Sequence, residues 1–152
     1  MSDSRNKTCR SLVGSSPLSR AVFGAEEIRK GRSNLATPSN IPLALPGFKE
    51  MARGAWRGMG PSDIGLDIHD RFNKGDESVT PEGGESVLDV KTRVLKARDE
   101  VLAVVPNGAA SCVVSHLWVT RSMISEALGI EVRGSARSEA TILPYTLHRC
   151  CC

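Results

Sequence analysis

Two side chains that carry or can acquire positive charge stand where apolar runs give way to helical patterns: Arg20, after "SSPLS", and His116, after "VVS". Parallel strands present their carboxyl ends along one edge of a sheet, so residues at two such junctions can face a single crevice. A guanidinium and an imidazole there, next to helix-terminal N–H groups, suit an anion. The segment "FKEMARGAWRGM" adds Glu50, a carboxylate that can act as proton donor if it is carried over that crevice. Each group also has a plainer role: Arg20 as a solvated helix residue, His116 as a strand-end cap, Glu50 as surface charge.

Positioning these groups requires strands and helices, and the apolar spacing supplies them. Leu12 and Val13 start a short buried strand, after which Ser16 and Pro17 form an N-cap and first-turn pair. Leu18, Ala21, Val22, Ala25 and Ile28 then recur at helical spacing until Gly31. Residues 32–48 form a loop containing a short strand at Ile41 to Leu45. Residues 49–80 are rich in Gly, charge and turn formers, with scattered apolar residues such as Trp56, Met59 and Phe72. They are expected to run over the surface, as segments that cover a site do.

Ser86, with Asp89 three residues on, resembles a capping box, and Val87, Val90, Val94, Ala97, Val101, Leu102 and Val105 line one face of a long helix. Ser111 to Ser115 make a buried strand, Leu117 to Leu128 a helix stopped by Gly129, and Ala140 to Leu143 a last strand that meets Pro144. Strands alternating with helices predict an α/β layer fold with a mainly parallel sheet.

Composition narrows the function classes. The 152 residues are 40% hydrophobic and 24% charged, which predicts one folded domain over residues 1–152. Lys and Arg total 20 against 17 Asp and Glu, and aromatics are 4%, so neither a basic surface nor a stacking platform points to nucleic acid. No apolar run approaches the roughly 18 residues of a membrane span, and "MSDSRNKTCR" lacks the apolar block of a secretory signal. The expectation is a soluble cytoplasmic protein with no membrane partner. The five cysteines, three of them at Cys150 to Cys152, form neither a disulfide framework nor a paired zinc signature.

In order, "SSPLSRAVFGAEEI", "FKEMARGAWRGM", "PEGGES" and "VVSHLWVTRSMISEALGI" resemble the histidine phosphatase superfamily, the phosphoglycerate mutase-like proteins. The resemblance runs from about Leu12 to about Ile142. It implies a three-layer α/β/α sandwich with a mainly parallel sheet, and phosphoryl transfer through a phosphohistidine without cofactor or metal. It also implies a phosphorylated small molecule as partner. In such chemistry positive donors surround the oxygens of the phosphoryl group in flight. By the resemblance Arg20 and His116 bind phosphate, His116 and Glu50 are catalytic, and Glu85 and Ser86 of the "GES" turn serve as substrate contacts or as a helix cap. "GAWRGM" is similar to the phosphatase branch, which favours hydrolysis over mutase activity.

Two features depart from the family pattern. The Arg-His-Gly motif that supplies the nucleophile and the first arginine is absent from the 152 residues. The expectation is a chain truncated ahead of its first strand and impaired in turnover, or else a non-catalytic phosphate-binding module or an unstable fragment. Loss of a central strand also predicts self-association through an exposed sheet edge. After His116, Leu117 and Trp118 replace the family's small Gly, and their bulk is expected to crowd the pocket.

Overall fold

The computed structural model describes residues 12–31, 43–105 and 109–131, and the backbone of residues 146–148. Strand β1 (Leu12–Ser15) leads into helix α1 (Ser19–Lys30), and β2 (Leu43–Ala44) follows. Next come two 3-10 turns, Pro46–Phe48 and Gly54–Trp56, then the short helices α2 (Pro61–Ile64) and α3 (Leu66–Asn73). Helix α4 (Val87–Val104), strand β3 (Ala110–Val114), helix α5 (Leu117–Leu128) and strand β4 (Thr146–His148) complete the order.

The sheet runs β2-β1-β3-β4. Strands β2, β1 and β3 are mutually parallel, with Ser15 opposite both Ala44 and Val114. Their carboxyl ends therefore align along one edge. Strand β4 pairs antiparallel with β3, Cys112 standing opposite Thr146. The strand expected at Ala140 to Leu143 lies outside the described residues, and the described pairing lies beyond Pro144.

Helices cover both faces. A Cβ added at Gly24 of α1 would meet the Val114 side chain at 3.3 Å, so Val114 faces α1. Val113 instead packs with Leu12 against the cluster built on α4 and α5. Neighbouring strand residues point to opposite sides, so α1 lies on one face and α4 with α5 on the other. This is a three-layer α/β/α arrangement. Val87, Val90, Val94, Ala97 and Val101 form the buried stripe of α4, as their spacing predicts, and meet Trp118, Val119 and Met123 of α5.

Helix ends follow local chemistry. Ser86 Oγ accepts the Asp89 amide at 3.1 Å while the Ser86 amide donates to Asp89 Oδ2 at 2.9 Å, the expected capping box. Helix α5 stops at Gly129, whose left-handed conformation (φ 63°) directs the Ile130 amide back to Ser125 O. The start of α1 differs from the expectation: its N-cap is Leu18, not Ser16. The Ser16 hydroxyl accepts the Leu18 amide at 3.3 Å and is also engaged by His116, which delays the helix by two residues.

Most of residues 49–80 are exposed or half-exposed, but the segment is anchored inward. Met51, Phe72 and Val79 are buried in the same core as α4 and α5. The Phe72 ring stands 5.2 Å from Trp56 and 5.2 Å from Trp118, in edge-on and tilted arrangements. Both helices are short, and only α3 supplies an anchor, Phe72, while α2 buries none of its residues. Gly47 lets the turn before this segment approach α4, where a Cβ would collide with Ala97. Gly54 (φ +48°) does the same against the backbone of Glu82 to Gly84.

Candidate functional site

The aligned carboxyl ends of β1 and β3 place Ser15–Ser16 beside Ser115–His116. The ladder continues past both strands: the Ser16 amide donates to Val114 O at 2.9 Å and the Leu45 amide to Ser15 O at 2.8 Å. His116 is the N-cap residue of α5 in extended conformation, yet its ring does not cap the helix. The ring is buried, and its Nε2 lies 2.8 Å from Ser16 Oγ. The backbone on either side is fixed, with Ser115 Oγ donating to Phe48 O at 2.8 Å and the Thr120 amide and hydroxyl both bonding to His116 O at 2.9 Å.

Glu50 reaches the same place from the other side. Its Oε1 accepts the Met51 amide at 2.9 Å and the Trp118 amide at 3.2 Å. A carboxylate from a distant segment thus caps α5, where the helix end favours negative charge. Arg20, on the first turn of α1, is exposed and carries its charge toward the same group. Burial lowers the His116 pKa, Arg20 lowers it further, Glu50 opposes, and Arg93 lowers it again. Arg20 and Glu50, from two other segments, thus act on the His116 ring with opposite sign.

Glu85 and Ser86 occupy structural positions. Ser86 belongs to the capping box of α4. Glu85 Oε1 accepts Arg93 Nε at 2.6 Å, and Oε2 accepts Arg93 Nη2 at 3.0 Å and the Ala52 amide at 2.8 Å. Burial alone would raise the Glu85 pKa, but these hydrogen bonds and the Arg93 charge outweigh it and hold the carboxyl below its ordinary value.

Three residues were given no part in this site by the sequence. Arg93 also donates to Gly47 O at 2.8 Å and to Glu50 O at 3.4 Å, so it fixes the backbone from which Glu50 projects. Nothing in the α4 pattern signals this, because the partners are far away in the chain. Arg121 lies 4.8 Å from the centre of the Trp118 ring and donates to Asn73 O at 3.0 Å. Its spacing of three residues from Trp118 on one helix is the signal that could have found it. Ser16 was read as a helix cap.

The crowding expected after His116 does not come from Trp118, which is 2% exposed and packs on Phe72. Leu117 is half exposed at the helix start. His69 lies on α3 against Asn73 Nδ2, 3.1 Å away. Among the described residues no group of three or more His, Cys, Asp or Glu could hold a metal ion, and no helix is long and apolar enough to cross a membrane.

The model of the histidine phosphatase superfamily, branch 1, matches residues 6–144. Bacillus stearothermophilus YhfR shares the fold at a TM-score of 0.70 and 22% identity, over 90% of this chain and 63% of that one. A mycobacterial glucosyl-3-phosphoglycerate phosphatase in complex with inorganic phosphate gives 0.65 and 23%, over 86% and 64%. The protein described as mycobacterial hydrolase 2 gives 0.64 and 21%, over 86% and 57%. The chain spans less than two thirds of the length of each. None of the curated proteins compared with the chain matches it.

Proposed function

The chain belongs to the histidine phosphatase superfamily, and from that premise we propose that the crevice between Arg20, Glu50 and His116 binds the phosphoryl group of a phosphorylated small molecule. Arg20 supplies charge and a planar set of donors to the phosphoryl oxygens, and His116 supplies a ring N–H. Glu50, held at the start of α5, is the proton donor to a departing ester oxygen. The activity inherited with this arrangement is phosphomonoester hydrolysis.

One observation carries this reading: Glu50, from a distant segment, bonds the Trp118 amide at the helix start where the buried His116 stands, and His116 in turn meets Ser16 at the end of β1, four residues before Arg20. Displacement at phosphorus also needs a nucleophile opposite the leaving oxygen. The 152 residues contain no Arg-His-Gly. The same pocket in this chain therefore binds phosphate with negligible turnover, as a phosphate-binding module does. Residues 49–80 serve as the lid, tied down by Phe72 and Arg93.

The test is calorimetric titration of the purified chain with orthophosphate and orthovanadate, together with turnover of an aryl phosphate. Saturable binding, weakened about tenfold or more in Arg20→Ala, is expected without turnover. Absence of binding overturns the reading of the pocket. Turnover abolished by Arg20→Ala and His116→Ala would instead identify a working enzyme in which another residue attacks phosphorus.

A further inference from the structure

We infer that the buried Ser16 hydroxyl donates to His116 Nε2 and fixes the imidazole as the tautomer protonated at Nδ1, leaving Nδ1–H to serve the anion. This rests on the reading of the crevice as a phosphate pocket and assigns Ser16 as a positioning residue within it.

Ser16 is 0% exposed. Its oxygen accepts the Leu18 amide at 3.3 Å, which leaves it one lone pair and a proton that still needs an acceptor. A buried hydroxyl without an acceptor is costly, and His116 Nε2, at 2.8 Å, is the acceptor available among the described residues. Accepting there requires a ring with no proton on Nε2. A neutral ring meets that demand, and the surroundings favour one: burial and the charges of Arg20 and Arg93 disfavour the imidazolium, opposed by Glu50.

Two consequences follow. His116 meets phosphate as a neutral donor, so the positive charge of the pocket resides on arginine. Its Nε2 lone pair is occupied, so that nitrogen does not attack phosphorus.

Ring 15N–1H correlation spectra of the full chain labelled with 15N-histidine at neutral pH test this, with His116 assigned from His116→Gln. The wild-type spectrum is expected to show His116 protonated at Nδ1 and bare at Nε2, and added orthophosphate to shift the Nδ1–H signal. In Ser16→Ala the two tautomers mix, and orthophosphate binds roughly five- to tenfold more weakly. A wild-type ring protonated mainly at Nε2 overturns the inference whatever the variant does, and so does a Ser16→Ala ring unchanged from wild type. Orthophosphate binding with an Nε2–H ring leaves the pocket standing and removes the inference. An Nδ1–H ring with no saturable binding removes the pocket, and with it the donor role given to Nδ1.

Discussion

Arg93 and Glu85 close on each other through two hydrogen bonds, Nε to Oε1 at 2.6 Å and Nη2 to Oε2 at 3.0 Å. Around this pair gather the carbonyls of Gly47 and Glu50 and the amide of Ala52. A single guanidinium on α4 thus holds both the turn ahead of Glu50 and the turn that opens α4. The position of the Glu50 carboxylate over α5 depends on an ion pair to which Glu50 contributes only its backbone.

Breaking that pair should cost more than an exposed ion pair does, because both side chains are about three-quarters buried. Arg93→Ala and Glu85→Gln should each lower unfolding free energy by about 1–3 kcal/mol in urea titrations. The double variant should lose less than the sum, with a coupling of at least about 0.5 kcal/mol. Strict additivity would mean that the two residues act independently.

Phe72 ties residues 49–80 to α5 through Trp118. Phe72→Ala removes a fully buried ring and should destabilise the protein by about 3–5 kcal/mol, measured by chemical denaturation. It should also change the fluorescence of Trp56 and Trp118, whose rings both lie 5.2 Å from Phe72. A loss below about 1 kcal/mol would mean that this segment is not part of the cooperative core.

The His116 pKa is lowered on folding, chiefly by burial and then by Arg20, so the unfolded chain binds that proton more readily. Stability should therefore rise with pH across this window. The contribution is complete above about 6.5, the ordinary histidine value, and is lost as pH falls from there through the lower folded value. Denaturation midpoints measured between neutral and mildly acidic pH should decline in the wild type and flatten in His116→Gln. Loss from the lowered carboxyls Glu85 and Asp89 begins only near their ordinary values of 4.5 and 3.8 and should remain in the variant.

The capping box of α4 yields a smaller effect. Ser86→Ala should cost about 1 kcal/mol, since the Asp89 amide loses its acceptor at the start of the helix. Asp89→Asn should recover part of the box while losing the charge that suits a helix start. Thermal melts of the two variants check the order.

Where the information was local, the chain could be read directly. The α4 stripe, its Ser86 cap, the bounds of α5 and its Gly129 stop all follow from residues within a few positions of one another. Arg20, Glu50 and His116 were nominated through the order of four motifs, and the parallel register of β1 and β3 brings the ends of both strands together, with Ser16 beside His116. Ser16 misled because its hydroxyl had two partners to choose from, the nearby amide and a ring 100 residues away. Only the nearby one is visible in sequence. The anchors of residues 49–80 were not legible for a related reason: Phe72 and Met51 are buried by other segments, and no repeat within their own segment announces it.

The strand order has a consequence for assembly. Gly14 and Ser15 of β1, and Ser111 and Cys112 of β3, have a partner strand on each side, so the middle of the sheet offers no berth there to an incoming strand. Among the described residues the rims are β2 and β4, stretches of two and three residues, so a newcomer docks beside one of these or must first prise β4 away from β3. Lateral growth from either rim begins with a very short zipper.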